Sequence, residues 1–355
     1  MEKKSSKSLY AYFGELGIFD MNIPGHTFYQ IGLMDSISEK FGTDQFDFLN
    51  YISDKYTSGS IDPEFPVGEL GELMTRYSRK LINNYQIAYP EVIEKIKNKE
   101  YDKLFLKARF RNLSTLQKKL KDAKIFEDII TTALEVGYAP ENIIILDTDL
   151  SLSESFLNTI KELGLSREIP SITMPGMSKG FINDCLQIHE KNQDYRTTNL
   201  MYYGNLSFDN YKEGHSKNPI INDIIQSVDS TQMFDGTIFT MSVAAKSDLS
   251  LENWIGTMDT VSLVPREDRA RIWDHFSQSM VSVNVSKDLY LKEKFIPARV
   301  YESIIFGTIP VSYRWGQHPA MTFETVEDFW EICKFLAECS RKDYLKILRH
   351  CADQL

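Results

Sequence analysis

The sequence predicts an α/β protein of two similar halves, each a parallel sheet covered by helices. Short β-branched or aromatic runs alternate with amphipathic stretches of helical period, the pattern of strands that return through crossover helices. The alternation runs through nearly all of the 355 residues, room for two domains of about 150 residues each. No low-complexity tract or short repeat interrupts it, which disfavours solenoids and propellers.

In the first half, strand 8–14 (SLYAYFG) leads through the loop GIFDMNIPGHT into helix 28–41 and strand 45–51. An interrupted helical region at 67–98 precedes strand 102–110, helix 114–136, strand 142–149, helix 153–163 and strand 169–174. The second half repeats the rhythm with strand 199–204, helix 219–228, strands 235–241 and 260–264, helix 266–277, strand 280–285, helix 297–306 and strand 309–313. Helical material from 324 closes the chain. In 175–198 the Gly, Pro and polar content rises and strand periodicity stops, which sets a boundary. The expected organisation is a Rossmann-like domain over 1–175, a linker at 176–198, a second Rossmann-like domain over 199–323 and C-terminal helices at 324–355. A ligand then belongs in a central cleft facing the carboxyl ends of the strands.

Composition narrows the function classes. With 42% hydrophobic and 25% charged residues the chain is globular, and no apolar run reaches the ~20 residues of a membrane span. The start MEKKSSKSLYAYFGEL is basic but has no apolar core for a signal peptide, so a soluble cytosolic protein is expected. Four cysteines without a CxxC pair argue against disulfides and structural zinc. A formal charge of −10 argues against a general polyanion binder. No GxGxxG follows the first strand, and Walker A and HExxH sequences are absent.

The most informative segment is FIPARVYESIIFGTIPV, residues 295–311. Pro297 suits the first turn of a helix, Gly307 its C-terminal cap, and a strand follows at once. Arg299 and Glu302 share a face near the helix start, where backbone N–H groups converge. A cation and a carboxylate there suit a nucleoside diphosphate, with Arg299 on phosphate oxygens and Glu302 on the ribose hydroxyls. A plain surface Arg–Glu pair is the alternative. Asp149 ends the apolar run IIILDTD, so it emerges at the cleft as a candidate general base, or else caps the next turn. Asp147-Thr148-Asp149 spells DxD, which admits a divalent metal without requiring one.

The segment FIPARVYESIIFGTIPV resembles the donor-nucleotide helix and following strand of GT-B glycosyltransferases, and is most similar to those of the T-even phage DNA β-glucosyltransferase family. The start of the chain, EYDKLFLKARFRN, IIILDTDLSLS and NLMYYGNLSFDNYKEG resemble further segments of that family in the same order. The resemblance implies an inverting transfer of a sugar from a UDP-sugar, with glucose or a pentose such as arabinose, to a hydroxyl. The implied acceptor is 5-hydroxymethylcytosine or another hydroxymethylated base in double-stranded phage DNA, modified in the host cytoplasm. It also implies Arg299 on the diphosphate, Glu302 on the ribose and Asp149 as base, with His26 near the donor sugar or as the alternative base. Gly204, Asn205 and Ser207 are expected to form a turn that meets the β-phosphate, a simple strand-to-helix turn being the alternative, and the resemblance implies that Val264 stands where backbone groups read uracil. Arginines expected after that turn are absent, and Lys212 is the substitute.

The net charge conceals a local excess. Between 95 and 124, eleven Lys and Arg face three Asp and Glu, a balance of +8. Period two sets Lys107, Arg109 and Arg111 on one side of a strand, and with Lys118 they form a candidate DNA-backbone contact; a solvated face is the alternative. A glycan or small-molecule acceptor, or a non-catalytic nucleotide- or DNA-binding protein, are the competing readings. Phe276, Phe329, Trp330, Phe335 and Leu336 are expected in the core, and the C-terminal helices are expected to cross back onto the first domain.

Overall fold

A computed structural model describes residues 7–13, 37–38, 40–43, 45–51, 67–84, 87–108, 120–147, 152, 154–168, 179–191, 198–204, 206, 219–229, 237–245, 249–265, 269–286, 296–314 and 321–355. The chain divides into two units, Met1–Pro63 with Met74–Ser178, and Glu64–Leu73 with Lys179–Leu355. As the sequence predicts, each holds a parallel sheet with helices.

The first sheet contains β1 (Lys7–Phe13), β2 (Gln45–Tyr51), β3 (Lys103–Ala108), β4 (Ile143–Leu146) and β5 (Ser166–Glu168). Their order is β2-β1-β3-β4-β5, every neighbouring pair parallel. A central strand buried on both faces needs apolar residues at every position, and IIIL of β4 is buried throughout. One face presents Leu9, Ala11, Leu104, Leu106, Ile143 and Ile145 to the core. Helices α2 (Tyr89–Lys97), α3 (Leu120–Glu135) and α4 (Glu154–Glu162) cover it with Val92, Ile96, Phe126, Ile129, Phe156 and Ile160. On the other face Phe105 meets Phe41 at 5.1 Å and Phe46 at 6.3 Å. Helix α1 (Glu69–Asn84) precedes these.

The second sheet runs β11-β10-β9-β6-β7-β8, built from β6 (Asn199–Tyr203), β7 (Thr240–Ala244), β8 (Val261–Leu263), β9 (Val281–Asn284), β10 (Ile309–Tyr313) and β11 (Thr322–Phe323). Read from β8, this is the 3-2-1-4-5-6 order of the doubly wound nucleotide-binding fold, whose direction of winding reverses between β6 and β9. The helices are α5 (Lys179–Lys191), α6 (Ile220–Ser227), α7 (Leu249–Ile255), α8 (Arg269–Ser277), α9 (Ala298–Ile305), α10 (Val326–Glu338) and α11 (Arg341–Asp353). Trp273 of α8 stacks on Phe306 at 5.4 Å, and Phe276 lies 6.3 Å from the same ring.

Several sequence expectations need correction. The stretch 176–198 is not simply a linker: α5 occupies much of it, burying Phe181, Ile182, Cys185, Leu186 and His189 at helical spacing. Glycine and proline around that stripe masked it. The strand expected at 235–241 is β7, three to five residues later. Ile238 is 65% exposed, whereas Met241, Val243 and Ala244 are buried beside β6. The strand expected at 169–174 is β5 at Ser166–Glu168, and 169–178 lie outside the described residues. Helix α7 had no counterpart in the prediction.

The C-terminal helices pack on the second unit. Trp330 of α10 rests on Phe239 at 5.4 Å and donates to Ser227 Oγ of α6 at 2.9 Å, while Tyr344 of α11 reaches the carbonyl of Met280 at 2.7 Å. Their apolar stripes are satisfied there. Phe276, Phe329, Trp330 and Leu336 are core as expected, but Phe335 is 51% exposed, on the outer side of α10. All four cysteines are free thiols. Among the described residues no helix is long and apolar enough to cross a membrane.

Candidate functional site

The chemistry gathers at the carboxyl edge of the second sheet, where β6 and β9 diverge. Pro297 stands in extended conformation as the N-cap of α9, its fixed φ setting the helix entry. The helix is buried almost all round, with Val300, Tyr301, Ile304 and Ile305 each at most 2% exposed. It stops at Gly307, whose φ of +71° is the left-handed conformation that a side chain resists. Thr308 then locks the turn by donating from Oγ1 to the carbonyl of Phe276 at 2.5 Å. His189 Nε2 lies 2.6 Å from the carbonyl of Ile305, so α5 also holds this helix end.

A helix so fixed leaves little freedom to its polar residues. Arg299 is half-buried and donates from Nη1 to the carbonyl of Tyr203, the last residue of β6, at 3.1 Å. Glu302, one turn on, is 5% exposed. The solvated surface pair is therefore excluded: the arginine reaches the central strand at the crossover and the carboxylate is enclosed. Ordering both groups in the fold lowers the entropy cost of engaging a ligand there.

Polar residues from the neighbouring strands adjoin this place. Asn284, at the end of β9 and 2% exposed, donates to Ser312 Oγ of β10 at 3.0 Å, and Ser286 Oγ lies 3.5 Å from its Oδ1. This cluster escaped the sequence reading, although a polar residue closing an apolar strand was the available signal. Gly204 follows β6 and donates its N–H to Ala244 at 3.0 Å. The Val264 N–H donates to Val243 at 2.8 Å, so a base reading that N–H would compete with the sheet. Tyr313 is packed against Phe323 at 5.6 Å. Asn205, Ser207 and Lys212 lie outside the described residues.

In the first unit Asp149, His26, Arg109, Arg111 and Lys118 also lie outside the described residues. β4 leads straight into Asp147, which is 1% exposed. Its carboxylate accepts from Arg167 Nε at 3.2 Å and Nη2 at 2.5 Å. The first aspartate of DxD is thus the partner of a guanidinium. No cluster of potential metal ligands occurs among the described residues.

The basic stretch is not one surface. Lys95 is paired with Asp47 at 2.9 Å and Glu91 at 3.4 Å, Lys97 with Glu94 at 2.9 Å, and Lys103 donates to Asn142 at 3.4 Å. These residues precede or begin β3, at the amino edge of a parallel sheet and away from the edge where ligands bind. Lys107, at the other end of β3, is 3% exposed, which corrects its assignment to an open phosphate-contacting face. At the amino edge Asp47 accepts from Lys95 at 2.9 Å, Lys7 at 3.0 Å and Tyr101 Oη at 2.8 Å. Burial opposes its ionisation, but these donors outweigh it and hold the carboxyl below its ordinary value.

No protein-family model matches the chain, and no curated protein sequence matches it. Solved structures similar to it include S. aureus MnaA with UDP, at 9% identity over 96% of this chain and 90% of that one, TM-score 0.43. A glycosyltransferase from Rickettsia africae matches at 8% identity over 99% and 93%, TM-score 0.46. The α,α-trehalose 6-phosphate synthase of Burkholderia multivorans matches at 8% identity over 99% and 95%, TM-score 0.46.

Proposed function

We propose that the chain is an inverting GT-B glycosyltransferase that moves a sugar from a UDP-sugar to a hydroxyl. The observation that carries this reading is Arg299 hydrogen bonded to the end of β6, with Glu302 enclosed one turn later on a helix starting at the crossover of a 3-2-1-4-5-6 sheet. Arg299 and the amino end of α9 take the diphosphate, and Glu302 accepts from the ribose hydroxyls. The turn Gly204-Asn205-Leu206-Ser207 and Lys212 meet the β-phosphate, and Val264 borders the base. Asp149 removes the proton from the acceptor hydroxyl as its oxygen bonds to the anomeric carbon, with His26 as the alternative base. The bond from that carbon to the phosphate oxygen breaks, its electron pair leaves with UDP, and Arg299 stabilises the charge that develops.

The sequence resemblance supports a hydroxymethylated DNA base as acceptor, flipped out of the duplex to reach the base. A small hydroxyl acceptor is the second reading. Buried Lys107 favours it, because it withdraws a cation from the proposed DNA contact. UDP-glucose and UDP-arabinose, each incubated with hydroxymethylated and unmodified DNA and followed by nucleoside mass spectrometry, test the reaction. A hexose or pentose mass on the modified base is expected. UDP release only with small hydroxyl acceptors moves the assignment to the second reading, and absence of UDP binding removes the transferase.

A further inference from the structure

A second arginine stands on the same edge of the second sheet as Arg299. Arg314 directly follows β10, the strand into which α9 leads. The strands are parallel, so Arg314 shares the carboxyl edge with Tyr203, the residue that Arg299 engages. Asn284 ties the strands together there, because it closes β9, pairs in register with Ser312 of β10 and donates to its Oγ at 3.0 Å.

Two features set Arg314 apart. Its φ of +60° is a left-handed conformation, which glycine adopts freely and a side chain resists. The backbone is kept there by its N–H, which donates to the carbonyl of Phe323 in β11 at 2.8 Å. Strain of this kind collects at ligand sites, where the surrounding structure holds a side chain in a set direction. The second feature is the side chain. The residue is exposed, yet its guanidinium lies over the Tyr313 ring, 4.9 Å from the centre. That ring continues inward through Phe323 at 5.6 Å, Phe329 at 5.3 Å and Trp330 at 5.0 Å. An aromatic stack anchored in the core thus presents an ordered fork to solvent, and among the described residues no carboxylate pairs with it.

The place along the edge decides which part of a ligand it meets. In the reading given above, the base borders Val264 after β8 and the diphosphate meets Arg299 beside β6. The sheet continues from β6 through β9 to β10, so Arg314 lies on the side away from the base. A diphosphate carries more negative charge than Arg299 alone neutralises, and residues 205–218 hold no arginine. We propose that Arg314 is a second anion-binding residue of this site, whose fork takes the phosphate farthest from the base. The assignment to a nucleotide rests on the donor reading; the anion site itself does not.

UMP and UDP are the probes, titrated calorimetrically into the full-length protein. Arg314→Gln keeps a side chain and removes the charge, and Arg314→Gly also suits the left-handed backbone. Both variants should bind UDP about tenfold more weakly than wild type, the weight of a charge-assisted hydrogen bond, and UMP within about twofold. Arg314→Gly should keep or raise Tm, since glycine relieves the backbone. UDP affinity close to wild type in both variants overturns the proposal. So does an equal loss for UMP and UDP, or a fall in the Tm of Arg314→Gly alongside its loss of affinity, each of which marks a structural role. Failure of UDP to bind the wild type strikes the donor reading, and inorganic pyrophosphate then tests the anion site alone. A similar loss of pyrophosphate affinity in both variants keeps that site, and absence of pyrophosphate binding overturns it.

Discussion

β4 in the first unit and α9 in the second both bring a charged residue to the carboxyl edge of a parallel sheet, and they settle its charge differently. Asp147 is 1% exposed and engaged twice by Arg167 of the neighbouring strand, so its charge is neutralised by a side chain of the same sheet. Arg299 instead donates to a backbone carbonyl at the crossover, and the contact leaves its positive charge without a formal counter-charge at Tyr203. The first arrangement secures a strand end. The second sets a cation where a phosphate can supply the missing negative charge.

The contrast breaks first at Asp149. Asp149→Ala should lower kcat by about a thousandfold, the usual weight of a general base, while the affinity for UDP, measured calorimetrically, stays within twofold. Turnover close to wild type would move the base elsewhere, and His26→Ala then becomes the decisive variant.

Arg167→Leu should come next, at a cost of about 3 kcal/mol in denaturant unfolding, because it strands a buried carboxylate. UDP affinity should be unaltered. A variant as stable as wild type would mean that Asp147 is held by other groups, and the difference between the two edges would shrink.

Arg299→Ala should weaken UDP binding by about 2 kcal/mol, roughly thirtyfold, as the loss of a charged hydrogen bond does. Glu302→Gln should affect UDP and its 2′-deoxy form unequally, narrowing the preference for ribose. Equal losses for both nucleotides would remove Glu302 from the ribose.

The smallest effect belongs to the amino edge. The Asp47 carboxyl is held below its ordinary value in the folded state, so its contribution is complete above the unfolded value of about 4 and is lost as the pH falls through the folded one. Asp47→Asn should flatten the acid limb of the stability curve by roughly 1 kcal/mol. An unchanged limb would show that Lys95, Lys7 and Tyr101 do not stabilise the charge.

Much of the fold was legible because its rule is local. IIIL reads as a strand buried on both faces, and FIPARVYESIIFG reads as a helix between a proline and a left-handed glycine, whatever surrounds them. Helix α5 was not legible, because its stripe of Phe181, Ile182, Cys185, Leu186 and His189 sits among residues typical of a linker. The +8 balance was legible as a sum and misleading as a surface. A sum cannot say that Asp47, far away in sequence, lies against Lys95 at 2.9 Å.

The sequence by itself determined the alternation of strands and helices, the position of the arginine and glutamate on one helix face, and the chemical types available for a nucleotide. These depend on backbone period and capping, which act within a few residues. Only the tertiary structure decided that Glu302 is enclosed, that Arg299 meets β6, that Asp147 is bound to Arg167 and that Lys107 is buried. Burial and charge pairing are set by which strands become neighbours, and that order joins residues 20 to 96 positions apart.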